Sequence, residues 1–290
     1  MLRFRPPPAP FSILSQRLIA MVVSLAVVAA AMFAFLGWIP PDEEQDRTTP
    51  ERTEVPSPAD EHAPDADVSE ATAGWVEPAY PNEDPRLREQ RRRMVEDDLL
   101  GRDIDHAGTL RAMGRIARHR FVSESLQDLA YADRPLPIGH DQTISQPYIV
   151  ALMTQLAEPK PTDRALDVGT GSGYQAAVLA ELCAEVYGIE IVEGLAELGA
   201  RRLAELGYQN ATIRHGDGFR GWPEKAPFDI IIVAAAPAEI PQPLIEQLAP
   251  GGRLVIPVGG NHQQLVRLRK QPDGSVLRET IIPVRFVPMT

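Results

Sequence analysis

Residues 164–174 read Arg-Ala-Leu-Asp-Val-Gly-Thr-Gly-Ser-Gly-Tyr, and this stretch organises the rest of the chain. Ala165 to Val168 is a short apolar run of the kind that forms a buried parallel strand. Three glycines at alternate positions follow it. An alanine-rich segment, Gln175 to Cys183, then predicts a helix. Strand, glycine turn and helix in that order form the nucleotide cradle of doubly wound α/β folds. Glycine lets the backbone approach a ligand with no Cβ in between. The spacing is G-x-G-x-G, with Tyr174 where a dinucleotide fingerprint has its third glycine. Asp167 precedes the turn, where its carboxylate can reach a ligand.

The 290-residue chain carries a net charge of −11, unevenly spread. Between Ile39 and Gln90 there are 15 acidic and 4 basic residues; from Arg91 onward there are 25 and 22. The acidity belongs to a linker, and the remainder has no basic excess of the kind a nucleic-acid surface needs. The single cysteine, Cys183, excludes an internal disulfide. The six histidines form no His-x-x-x-His pair, so no metal is expected.

Leu18 to Trp38 is almost wholly apolar and about long enough to span a bilayer. Arg3, Arg5 and Arg17 precede it, which places residues 1–17 in the cytoplasm and the rest outside. The run reads as an uncleaved membrane anchor, residues 18–38. A signal peptide cleaved near Ala29 to Ala34 is the alternative. Residues 39–85, rich in Pro, Asp, Glu, Thr and Ala, cannot bury enough apolar surface to offset chain entropy and read as a disordered tether. Residues 86–290 form the folded domain, expected to be a monomer.

Within that domain, Arg86 to Leu100, Ala107 to Ile116 and Glu124 to Tyr131 predict helices. The basic run Arg118-His119-Arg120 is compatible with a solvated face. Leu136 to Tyr148, with its glycine and prolines, predicts a loop that starts the helix Tyr148 to Leu156, Ser145 lying near its N-cap. Strands are expected at Val186–Glu190, Ala211–Arg214, Phe228–Ala236 and Arg253–Val258. A closing antiparallel pair, Gln264–Arg269 and Glu279–Val287, turns around Asp273-Gly274. The sum is an α/β, Rossmann-like, doubly wound, mostly parallel seven-stranded sheet with helices on both faces. Glu190, ending its strand, can accept hydrogen bonds from both hydroxyls of a ribose.

The glycine turn with Asp167 resembles the S-adenosylmethionine turn of class I methyltransferases. The run Gln142-Thr143-Ile144-Ser145-Gln146-Pro147 ahead of it closely resembles the protein-L-isoaspartate O-methyltransferase family. Arg118-His119-Arg120-Phe121-Val122 and Arg134-Pro135-Leu136-Pro137-Ile138-Gly139 are similar to the same family. The resemblance covers about residues 86–290. It implies methyl transfer from S-adenosylmethionine to isoaspartyl or D-aspartyl carboxylates of proteins and peptides. It also implies cofactor contacts from Gln142, Thr143, Ile144, Ser145, Asp167, Gly169, Gly171, Glu190, Asp217, Gly218 and Thr290. Ser145 and Thr143 are the expected catalytic residues. Val150 stands where the family often has a histidine, five residues after the loop serine. Ala234-Ala235-Ala236-Pro237 lacks the Asn/Asp-Pro-Pro-aromatic pattern of many amino-group methyltransferases. A methyltransferase for another small acceptor, and a non-catalytic cofactor-binding module, are the alternatives. The family's usual location is cytoplasmic.

Overall fold

The computed structural model describes residues 80–290. The anchor candidate 18–38 and nearly all of the tether lie outside them. Among the described residues no helix is long and apolar enough to cross a membrane. The folded part begins before residue 86. Tyr80 donates or accepts a 2.9 Å hydrogen bond with His119 Nε2, and buried Glu83 pairs with buried Arg91. These contacts dock 80–84 onto the domain.

Helix α1, Pro85–Arg93, starts at the N-cap Asp84 and continues as a π-helical stretch, Met94–Leu100. Helix α2 spans Ala107–Arg115 and is capped by His106, whose Nδ1 accepts from the Thr109 amide. The helix expected at Glu124 to Tyr131 is instead a 3₁₀ turn, Glu124–Leu129, none of whose residues is buried. Only Leu126, half-buried, packs against the core, too narrow an apolar face to support a longer helix.

The expected loop is a hairpin. Strand β1, Leu136–Gly139, pairs antiparallel with β2, Gln142–Ile144. His140 and Asp141 join them with φ of 53° and 57°. Two consecutive positive φ values make the type I′ turn that matches the strands' own twist. Helix α3, Pro147–Ala157, has Gln146 at its N-cap and Pro147 in its first turn. Ser145 is one residue upstream of the cap, as its expected place near the N-cap allows.

The remaining elements alternate. They are β3 (Arg164–Val168), α4 (Tyr174–Ala180), β4 (Glu185–Glu190), α5 (Glu193–Glu205), β5 (Ala211–His215), β6 (Phe228–Val233), α6 (Gln242–Glu246), β7 (Leu248–Val258), β8 (Gln263–Lys270) and β9 (Val276–Val284). The seven-stranded sheet has the order β5-β4-β3-β6-β7-β8-β9. Strands β3 to β7 pair in parallel, and β8 and β9 add an antiparallel edge. The chain leaves β3 in one direction and returns to its other side at β6. That reversal opens a crevice at the carboxyl ends of β3 and β6, where open α/β sheets bind ligands.

Both faces of the sheet are buried. Ala165, Val186, Ile230, Ile232 and Val255 join one core; Leu166, Tyr187, Ile189, Ile231 and Leu254 join the other. The alternation follows the two-residue period of a strand. Helical cover is unequal. The first core packs residues of α1 to α5, whereas the second is closed by Leu244 of the five-residue α6 and by Trp222.

Arg253 of β7 ties this sheet to the end of α3. Its Nε donates to the Ala157 carbonyl at 2.7 Å and its Nη2 to Asp163 Oδ2 at 2.9 Å. Both side chains of the ion pair are 7% exposed. Asp163→Ala would strand the buried guanidinium and is expected to cost about 3–5 kcal/mol. Urea denaturation measures it, and a loss below about 1 kcal/mol would contradict this role.

Candidate active site

The crevice holds a cleft that is partly open to solvent, placed where open α/β sheets bind small molecules. Its floor is the glycine turn, with Gly169, Thr170, Gly171 and Ser172. One side carries Glu190 and Ile191 after β4, the other Ala234 and Ala235 after β6. Residues Gln142 to Ser145 and Val287 to Thr290 overhang it. Gly173 leads the chain into α4 with φ of 89°. A Cβ there would lie 3.3 Å from the Cα of Gly199 on α5, so only glycine gives both the conformation and the approach.

Glu190 is 5% exposed and faces the cleft. Its Oε2 accepts from the Gly171 amide at 2.8 Å and its Oε1 from the Val192 amide at 3.0 Å. Each oxygen keeps a further acceptor site, so the carboxylate both braces the turn and can take two hydroxyl donors.

Of the other expected residues, Gln142, Thr143, Ile144, Ser145, Gly169, Gly171, Gly218 and Thr290 line the cleft. Asp167 and Asp217 are not among its lining residues. Asp217 spends its Oδ1 on the Phe219 amide, 2.9 Å away, capping the 3₁₀ turn Gly218–Arg220. Asp167 is fully buried behind the glycine turn, where Oδ2 accepts from the Thr170 hydroxyl. Its Oδ1 has no hydrogen-bond partner among the described residues. Burial pushes the Asp167 carboxyl up to about 7; the Thr170 bond opposes this and the Glu190 charge adds to it. The two adjacent carboxyls thus divide their work, one presented to the cleft and one buried beneath it.

A second, more open hollow adjoins the first. Pro135, Gln146, Ile149, Pro283, Arg285 and Phe286 line it, together with Thr143, Ser145, Ala234 and Val287, which line both. Thr143 and Ser145 therefore stand on the wall between two compartments. Among the described residues the Ser145 hydroxyl has no hydrogen-bond partner, which leaves it available to a ligand.

Two compartments meeting at a serine and a threonine suit transfer between a bound donor and a separate acceptor. The model of the protein-L-isoaspartate(D-aspartate) O-methyltransferase family matches residues 89–290. The chain belongs to this family. A protein-L-isoaspartate O-methyltransferase of Opitutus terrae is 57% identical over 202 residues, covering 69% of this chain and 87% of that one. A solved protein-L-isoaspartate O-methyltransferase superposes with a TM-score of 0.64 at 27% identity; the match covers 68% of this chain and 65% of that one, just under two thirds. A Plasmodium falciparum β-aspartate methyltransferase, solved with S-adenosyl-L-homocysteine, gives 0.59 at 27%, covering 71% and 96%.

Several lining residues of this methyltransferase were not expected from the sequence: Thr170, Ser172, Gln175, and Val287 to Met289. The last three are held by a bridge to the end of β6. The Ala236 amide donates to the Val287 carbonyl at 2.8 Å, and the Met289 amide to the Ala236 carbonyl at 2.9 Å. The place of these three in the cleft comes from this long-range pairing. Among the described residues no group of side chains is arranged to hold a metal ion.

The raised Asp167 value has a consequence for folding. An unfolded aspartate releases its proton near pH 4. The folded one keeps it to about 7. Between those values the folded state binds more protons, so stability falls as pH rises through the window, by up to about 4 kcal/mol from this group. Asp167→Asn keeps an acceptor for Thr170 and removes the titration. Chemical denaturation from pH 4 to 7 is expected to show a smaller downward slope for the variant than for the wild type.

Proposed function

We propose that the cleft and the adjoining groove carry out the family's reaction, methyl transfer from S-adenosylmethionine to the free carboxylate of an L-isoaspartyl or D-aspartyl residue. The observation that carries this reading is the position of Thr143 and Ser145 on the shared wall. S-adenosylmethionine supplies the methyl group on a sulfonium, a good leaving group. The residues present fit that cofactor. Glu190 offers acceptors for ribose hydroxyls, the glycine turn admits close approach, and Gly218 contributes a surface without a side chain.

An acceptor carboxylate is already ionised near pH 7, so no strong general base is required. The residues have to align carboxylate oxygen, methyl carbon and sulfur. Thr143 and Ser145 can donate to the carboxylate in place of water and hold one oxygen toward the donor cleft. The apolar groove walls at Pro135, Ile149, Pro283 and Phe286 accept the flanking peptide. The ester then closes to a succinimide without the enzyme, and reopening gives repair.

Base-labile methyl esters are expected on an isoaspartyl peptide and not on its aspartyl twin. Equal labelling of the two would move the reading to another carboxylate acceptor. Ser145→Ala is expected to lower turnover about 10–100-fold with cofactor affinity nearly unchanged, since the hydroxyl acts on the acceptor side. Full activity of that variant would remove Ser145 from the mechanism.

The location is also a proposal. The length of Leu18–Trp38 and the three arginines before it support an anchor with the domain on the outer side. A flexible tether of about 45 residues would reach roughly 35–40 Å. Protease added to intact spheroplasts is expected to digest the domain. Protection until the membrane is lysed would place the domain in the cytoplasm.

A further inference from the structure

Arg118 is fully buried in the 3₁₀ turn Arg118–Phe121, where the sequence is equally compatible with a solvated basic face. Its Nε donates to the Ala130 carbonyl at 2.7 Å, and its Nη2 donates to the Ser145 carbonyl at 2.8 Å. The guanidinium carbon lies 4.7 Å from the ring centroid of Tyr174, the residue that follows the glycine turn. Nη1 is buried with no hydrogen-bond partner among the described residues.

No carboxylate among those residues forms an ion pair with Arg118. The nearby acids are committed elsewhere. Asp133 takes Arg102 at 2.9 Å, the Gln146 amide group at 2.7 Å and the Tyr148 amide at 2.9 Å. Glu83 pairs with Arg91. Burial lowers the Arg118 pKa, yet a guanidinium stays protonated in a protein. A buried cation without a counter-charge is expensive and calls for an explanation beyond packing.

We propose that Arg118 is a positioning residue that fixes Ser145 and, through a charge that no ion pair neutralises, favours an anionic acceptor over the neutral ester product. The inference rests on the methyl-transfer reading above. Arg118 contacts the carbonyl of Ser145, which lines both compartments, and the ring of Tyr174, which lines the donor cleft. In a poorly polarisable interior its field extends beyond its own contacts.

The charge balance of the reaction gives that field a direction. A carboxylate oxygen forms a bond to the methyl carbon, the sulfur–methyl bond breaks, and its electron pair stays on sulfur. Anion and sulfonium become neutral ester and neutral thioether. A fixed cation beside the acceptor therefore stabilises the carboxylate before transfer and gains nothing from the ester afterwards. It tightens acceptor binding without holding the ester product, and it does not accelerate the chemical step itself.

The test uses the full chain, end-blocked isoaspartyl peptides and the variants Arg118→Met, Arg118→Gln and Arg118→Lys. For Arg118→Met the peptide KM is expected to rise about tenfold, with a loss of kcat smaller than that of Ser145→Ala. Cofactor affinity by calorimetry and inhibition by the peptide methyl ester are expected to stay near wild type. Arg118→Lys, which keeps the charge, is expected to recover most of the KM. An unchanged KM in a folded Arg118→Met would make the residue a plain strut and overturn the proposal. So would kcat and cofactor affinity falling together, which would mean that it only props the glycine turn. If Arg118→Met does not fold, Arg118→Gln decides, since it keeps a donor for a carbonyl and removes the charge, and an unchanged KM there would refute the electrostatic role. Failure of the wild type to methylate any isoaspartyl peptide is a separate outcome. It removes the methyl-transfer reading and this inference with it.

Discussion

The parallel pairing of β3 with β4 is the constraint on which the site depends. Val168 stands opposite Ile189, and the Ile189 carbonyl accepts the Gly169 amide at 2.8 Å. Only in that register does the Gly171 amide reach the Glu190 carboxylate. A slip of one residue would turn Glu190 to the opposite face and bury it in a core. Gly188 keeps the strands close to the turn, since a Cβ there would lie 2.8 Å from both the Thr170 hydroxyl oxygen and Ile213 Cγ1. Thr170 in turn holds Asp167. Strand pairing, turn shape and carboxylate placement are thus one connected arrangement.

The chemistry is arranged around that frame by burial more than by number of charges. Glu190 keeps contact with the cleft while Asp167, almost beside it, is withdrawn from solvent. Arg118 is withdrawn too, but with its sign unmatched by an ion pair among the described residues. The donor side therefore presents acceptors for hydroxyls, and the acceptor side has a cation behind its serine. Such a division suits a reaction in which a sulfonium and a carboxylate must meet and leave as neutral species.

Much of the fold was legible because its signals are periodic or local. The apolar strand runs, the glycine turn and the acid at Glu190 each depend on a few adjacent residues. The hairpin Leu136 to Ile144 was hidden because His140 and Asp141 adopt positive φ without a glycine at either position. Asp167 read as a ligand contact, since sequence shows that an acid precedes the turn but not which way it points. Asp217 was taken by a local cap of the sort that short acidic side chains favour. Arg118 gave no sign of burial, because its partners are carbonyls of residues 12 and 27 positions away. Val287 to Met289 reach the site only through a bridge to Ala236.

That bridge gives the cleft two covers drawn from opposite ends of the domain's chain order. Residues 142–145 come before the sheet begins, and 287–290 follow its last strand. A molecule seated between them is a splint as well as a reactant, and its binding energy also holds the two covers to the core. By mass action, saturation at a hundred times the dissociation constant would add about 2.7 kcal/mol to the folded state. The durability of this repair enzyme is thereby coupled to cofactor supply, and a starved chain is one whose edges are the first to come loose.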